Sequence, residues 1–338
     1  MDGILYDTSY TAYAVPQATP ALFALLSASP SRLSDHANTL REHLSADRAA
    51  YEDEEEREKI GGLRDCKFAP LQRHEAEPQG VAITLFYDKL SYKFVLYRGT
   101  PSPTKARSRR AGHKKDESLP LLLIKATSSL TARFLAYLSL HFHVPTIAPL
   151  KLPVGYLADV LDVYVDGLVD AHRPVASDYA LLDFFRDTVG AMKLTISLTD
   201  AEIAKSLRTI DVDVPPETLY QLVVESEAGT SFLEALHKHL HARTGLLLPL
   251  APTYPVRRSQ DNDNLEQDKT EPPLKLSRIG NAAFALSSEG RLKFSSKSMQ
   301  AVDAVPGIDS GEHNVVRKAN QDLLDSLIRE ALSMADTD

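Results

Sequence analysis

A single cysteine, Cys66, among 338 residues leaves this chain without an internal disulfide or a multi-thiolate zinc site. A reducing compartment is therefore expected, and secretion is not. Long apolar runs are missing as well. No segment approaches the roughly 18 uninterrupted apolar residues that a spanning helix needs, so no membrane contact is expected. The start, MDGILYDTSYTAYAV, carries an acid and tyrosines in place of a basic flank and reads as part of the fold. The patterns GxxxxGKS/T, GxGxxG and GxSxG are absent, so there is no recognisable phosphate cradle or nucleophile elbow. What remains is 43% hydrophobic and 25% charged, enough for one large core or two ordinary ones. That balance excludes a disordered chain, a collagen and a small disulfide scaffold.

The net charge of −8 argues against nucleic acid only until it is resolved along the chain. The run Pro101–Ser118, PSPTKARSRRAGHKKDES, holds six Lys or Arg and two acids, so it carries +4 and leaves −12 elsewhere. Residues 47–58, DRAAYEDEEERE, hold seven acids against two arginines and read as a solvated helix end or loop. Proline, scattered serine and the lack of large apolar side chains make the basic run a loop. A loop of this kind is a phosphate contact, a nuclear-import signal or a solvated connector.

Periodicity orders the rest. SRLSDHANTLREHLSAD puts Leu33, Ala37, Leu40 and Leu44 at helical spacing, with Ser31 or Ser34 as its cap. VAITLFYDKLSYKFVLYRGT predicts a hairpin around DKLS. LPLLLIKA (119–126) reads as a buried central strand and TSSLTARFLAYLSLHFHV as an amphipathic helix ended by Val144 and Pro145. LPVGYLADVLDVYVDGL fits a short helix leading into a strand that alternates Val163, Val165 and Leu168, a choice that periodicity leaves open. AMKLTISL and SLRTIDVDVP alternate as half-buried strands, ETLYQLVVE and TSFLEALHKHLHARTG are helices, and LLLPL is a strand. A late hairpin with SSEG at its tip and a final helix bearing Leu323, Leu324, Leu327, Ile328 and Leu332 complete the chain. The expected fold is α+β, with two sheet-bearing lobes of antiparallel or mixed strands and packed helices. The N-terminal lobe spans 1–170; the C-terminal lobe, 171–338, contains a polar insertion at 257–273.

Chemistry is sparse. His237 and His241 stand four apart on one helix face and could meet a metal, but two ligands are too few, and neither a metal nor a cofactor is expected. His141 and His143 flank Phe142 at a helix end, where core or cap roles suffice. The pairs Asp159 and Asp162, Asp166 and Asp170, and Asp211 and Asp213 offer carboxylates, the last on an exposed strand face. DNDNLEQD lacks the glycine and terminal glutamate of a calcium loop. No enzyme is indicated.

The order LPLLLIKATSSLTARFLAYLSLHFHVPTIAPLKLPVGYLADVLDVYV, AMKLTISL, LRTIDVDVPPE and LKLSRIGNAAFALSSEGRLKF resembles the centromere protein L family, which includes fungal inner-kinetochore subunits of the Sim4 or Ctf19 assembly. The resemblance runs from about Val81 to the last helix, and LYDTSYTAYAVP is loosely similar to the family's fungal start. It implies a non-enzymatic nuclear subunit of the constitutive centromere-associated network. That subunit would form a heterodimer with a centromere protein N-type partner and meet other inner-kinetochore subunits and the centromeric nucleosome. Carried over by position, the pairing hairpin at 281–296 would use Asn281, Phe284, Leu286, Arg291, Leu292 and Phe294 by strand addition. The same alternation also fits an internal hairpin under the last helix. An isolated chain could self-pair through that edge. DNA contact would fall to Lys105, Arg107, Arg109, Arg110, Lys114 and Lys115, with Arg291, Lys293 and Lys297 added. Two competing readings are the paralogous N-type subunit and a metalloprotein or enzyme centred on His237 and His241.

Overall fold

The computed structural model describes residues 3–15, 18–46, 58–71, 80–99, 120–145, 147–172, 182–198, 207–227, 231–245, 274–298 and 315–335. They belong to two compact units, Met1–Leu150 with Leu324–Asp338, and Lys151–Leu323. The division falls ahead of the expected 170/171 boundary because the helix Tyr156–His172 packs on elements of the second unit.

In the first unit, strands β1 (Ser9–Ala14), β2 (Leu63–Leu71), β3 (Gly80–Tyr87), β4 (Ser91–Tyr97), β5 (Leu121–Lys125) and β6 (Ala148–Pro149) are all antiparallel. Their order is β2-β3-β4-β5-β1, with β6 also on β1. The expected hairpin is β3–β4, closed by Tyr87 N–H donating to the Leu90 carbonyl at 2.9 Å. As anticipated from its unbroken apolar run, β5 lies between β4 and β1, and Leu121, Leu122 and Leu123 are buried. Helices α1 (Pro20–Leu26), α2 (Pro30–Ala46) and α3 (Ser128–Phe142) share one core with the sheet residues Cys66, Phe68, Ile83, Leu85, Phe94, Leu96, Leu122 and Ile124. The helical spacing of Leu33, Ala37, Leu40 and Leu44 is the buried stripe of α2. Ser31 and Ser34 are not its caps: the helix opens at Pro30, where a missing N–H costs nothing, and both serines lie inside it. In α3, Thr127 caps the start by accepting from Leu130 N–H, and Phe134 stacks on Phe94 with centroids 4.1 Å apart. Arg133, buried in α3, donates from Nη2 to the Leu44 carbonyl and so satisfies the C-terminal end of α2. On the other sheet face, Tyr97 Oη lies 3.4 Å from Asp325 Oδ1.

In the second unit the strands β7 (Met192–Leu198), β8 (Thr209–Val214), β9 (Leu274–Gly280), β10 (Phe284–Ser287) and β11 (Arg291–Phe294) follow the order β11-β10-β9-β7-β8. These pairings are again antiparallel. Its helices are α4 (Tyr156–His172), α5 (Pro216–Glu227), α6 (Phe232–Thr244) and the start of α7 (Val315–Ala335). The choice that periodicity left open near Val163 falls to helix, with no switch to a strand. Residues 156–172 are one helix, with Val165 and Leu168 inward at helical spacing and Val163 65% exposed. The late hairpin is a three-stranded meander, because Asn281 makes a second turn in which its Oδ1 accepts from Ala283 N–H and Phe284 N–H. Ser231 caps the start of α6 by accepting from Glu234 N–H, and Gly245, in the left-handed region, caps its end. The predicted strand LLLPL and the insertion 257–273 lie outside the described residues.

Candidate partner and nucleic-acid interface

The meander that carries the expected pairing residues has two unlike faces, a direct result of the period-two alternation of its strands. Phe284, Leu286, Leu292 and Phe294 are at most 2% exposed. They share the buried face with Met192, Leu194, Ile196 and Ile279, and the Tyr164 ring of α4 sits 4.4 Å from that of Phe284. β10 is hydrogen-bonded along both edges, to β9 and to β11. In the single chain these four side chains are therefore core, which is the arrangement of an internal hairpin. Asn281 is half-buried with its side-chain oxygen spent on the turn, and Arg291 is exposed.

Arg291 and Lys293 point outward from β11, and Lys297 follows just beyond it, also exposed. Register identifies what accompanies them. One row across the outward face runs Asp213, Lys193, Gly280, Ala285, Lys293. The neighbouring row runs Asp211, Thr195, Arg278, Ser287. Lys193 and Arg278 are exposed cations that sequence reasoning missed. Each occupies a polar position in an alternating run, which was the available signal, but only the pairing of β7 with β9 and of β9 with β10 brings them beside β11. The acids Asp211 and Asp213 are exposed on β8, as their alternation indicated, and Asp211 Oδ1 accepts from Thr195 Oγ1 at 2.7 Å. Lys105, Arg107, Arg109, Arg110, Lys114 and Lys115, and the acidic residues 47–57, lie outside the described residues.

Other titratable groups serve the fold. His237 is half-buried and His241 exposed on α6. Among the described residues, no group of three or more His, Cys, Asp or Glu could hold a metal ion. Burial raises the carboxyl of Asp162 above its ordinary range, although it accepts from Leu233 N–H at the start of α6. Burial, with Asp65 beside it, pushes the Cys66 thiol up to about 12, so the lone cysteine is an inert core residue. Among the described residues, no helix is long and apolar enough to cross a membrane.

Fold and surface together define an α+β protein of two antiparallel-sheet units, with a cation-bearing outward sheet face in the second. The family model for Centromere protein L matches residues 4–332, and the chain belongs to that family. No curated protein matches it. Family membership makes it a centromere and kinetochore protein, hence nuclear, in a structural family.

Proposed function

We propose that this chain is a structural subunit of the inner kinetochore that works as a heterodimer with a centromere protein N-type partner and supports centromeric chromatin binding and chromosome segregation. The match to the centromere protein L model over residues 4–332 carries this reading, and it favours the L-type over the paralogous N-type subunit. Because Phe284, Leu286, Leu292 and Phe294 are committed to the chain's own core, a partner meets the meander through outward residues such as Arg291. Alternatively, it pairs elsewhere in the second unit. The run 101–118 contributes phosphate contact through its six cations, without base readout.

Purification of the tagged full chain from its own cells is the test. An N-type partner recovered in equal amount supports the reading. Recovery of a lone monomer or of a self-paired chain without other inner-kinetochore subunits overturns it.

A further inference from the structure

We propose that the first unit's sheet carries a seat for a single phosphate dianion, free or as the monoester of a phosphorylated serine or threonine, formed by Lys93 and Lys125 with Lys67 beside them. The seat uses none of the residues assigned above to partner or DNA contact, and goes beyond both.

Register places the lysines. Across β2 to β5 one row runs Lys67, Thr84, Lys93, Lys125. It lies on the face turned away from α1, α2 and α3, because the alternate residues Phe68, Leu85, Phe94 and Ile124 share the core with those helices. Tyr87 N–H donates to the Leu90 carbonyl, which directs the even-numbered residues of β4 to β3 and the odd-numbered ones to β5. Lys93 and Lys125 are therefore a hydrogen-bonded pair with Cα atoms about 5.5 Å apart. Lys67 stands two strands from Lys93, or roughly 10 Å at about 4.8 Å per strand. Lys67 and Lys125 are exposed, and Lys93 is half-buried. Lys93 Nζ donates to Thr8 Oγ1 at 3.2 Å, and Thr8 is itself buried.

Like charges directly opposite each other destabilise a sheet, and partial burial adds to the cost. Burial, with Lys125 opposite, holds the Lys93 ammonium below its ordinary range. Among the described residues neither lysine has a carboxylate within ion-pair distance. Asp65, in the next row, spends Oδ1 on Cys66 N–H, and Asp88 accepts from Gly62 N–H and Arg64 Nε. Two cations held together without a counter-charge match an anion of two charges. A phosphate monoester carries about −1.5 to −2 at pH 7 and three acceptor oxygens, whereas a carboxylate or a backbone phosphodiester brings a single charge. A duplex calls for cations spread along a track, and here the two are paired at one point. Phe86, 40% exposed, lies in the adjoining row on the same face. Its ring offers an apolar rest for the neighbours of a phosphorylated residue, which favours a polypeptide as the source over free phosphate.

The experiment follows the anisotropy of two labelled peptide pools against the full chain, each with random residues on both sides of a central phosphoserine or serine. The phosphoserine pool should bind about 10-fold more tightly or better. Lys93→Gln with Lys125→Gln should abolish that preference, and Lys125→Arg should keep most of it. Inorganic phosphate, added at constant ionic strength, separates the sources. Displacement of the pool near its own apparent Kd supports a seat for the free anion, and displacement only far above it supports a phosphorylated chain. Phosphate should also raise the melting temperature of the unaltered chain and leave that of the double variant unmoved, and the same melts show that the double variant folds. Equal binding of the two pools with an unmoved melting temperature overturns the seat, as does a phosphoserine preference that survives in the double variant. Tighter binding of a mixed-sequence DNA duplex, lost to the same degree in the double variant, would make the lysines a general polyanion surface and overturn it too.

Discussion

His36 of α2 and His141 of α3 pack among rings, with His36 5.4 Å from Phe142 and His141 4.6 Å from Tyr137 and 6.0 Å from His43. Burial holds both imidazoles below their ordinary value. Repulsion from His43 adds to this at His141; at His36, attraction to Asp35 opposes it, while His141 and Arg32 reinforce it. A lowered pKa in the folded state means that protons bind the unfolded chain more readily. The contribution to stability is therefore complete above the unfolded value of about 6.5 and is lost as pH falls through that value toward the folded one. His36 is half-buried and His141 exposed, which keeps the effect modest. Urea midpoints of the full chain should be flat from pH 8 to 7 and should fall between pH 6.5 and 5. The double variant His36→Gln, His141→Gln should flatten the fall, and an unchanged slope would exclude these rings as its source.

At the scale of elements, segments whose pattern matched their surroundings were legible. Leu130, Phe134, Tyr137 and Leu138 of α3 form one buried stripe, and β3–β4 are β-rich runs on either side of a short turn, so period and turn together located them. β2 escaped because Arg64, Asp65, Lys67 and Pro70 interrupt it. Such residues suit a strand at the end of the sheet order, where one edge is left without a ladder, and they mask the inward pair Cys66 and Phe68. α1 escaped because seven residues show barely two turns, although Thr19 and Pro20 were an available start signal. In α4 the β-branched Val163 and Val165 imitate strand alternation, and only packing reveals that Val163 faces out. The candidate surface was half legible, since Arg291 and Lys293 are adjacent in sequence to their role whereas Lys193 and Arg278 join them only through strand register. The same helix α4 holds α7 by a buried bond in which Tyr164 Oη donates to Asn320 Oδ1 at 3.1 Å. Tyr164→Phe should cost about 1 to 3 kcal/mol, because it strands a buried acceptor. Adding Asn320→Leu should recover part of that loss in a denaturant-melt double-mutant cycle. Fully additive losses would mean the two side chains do not act as a pair.

For the whole molecule, the division of the chain matters more than its length. α7 begins among the residues of the second unit and ends among those of the first, where a Cβ added at Gly99 would lie 3.0 Å from Ile328. Leu324, Leu327 and Ile328 are buried and belong to the first unit's interior. A fragment ending at Leu150 should therefore lack part of its core and melt without a cooperative transition by circular dichroism. A peptide spanning Val315–Ala335, added in excess, should restore that transition. A fragment that melts cooperatively alone would show that the C-terminal residues are dispensable to it.

This interleaving also fixes an order in time. Roughly 170 residues must be synthesised between Leu150 and Leu324, which at about 5 to 20 residues per second leaves the first unit incomplete on the ribosome for on the order of 10 to 35 s. Its apolar sheet face waits on the last turns of the message, so a frameshift or stop near the 3′ end would damage the part of the protein made first.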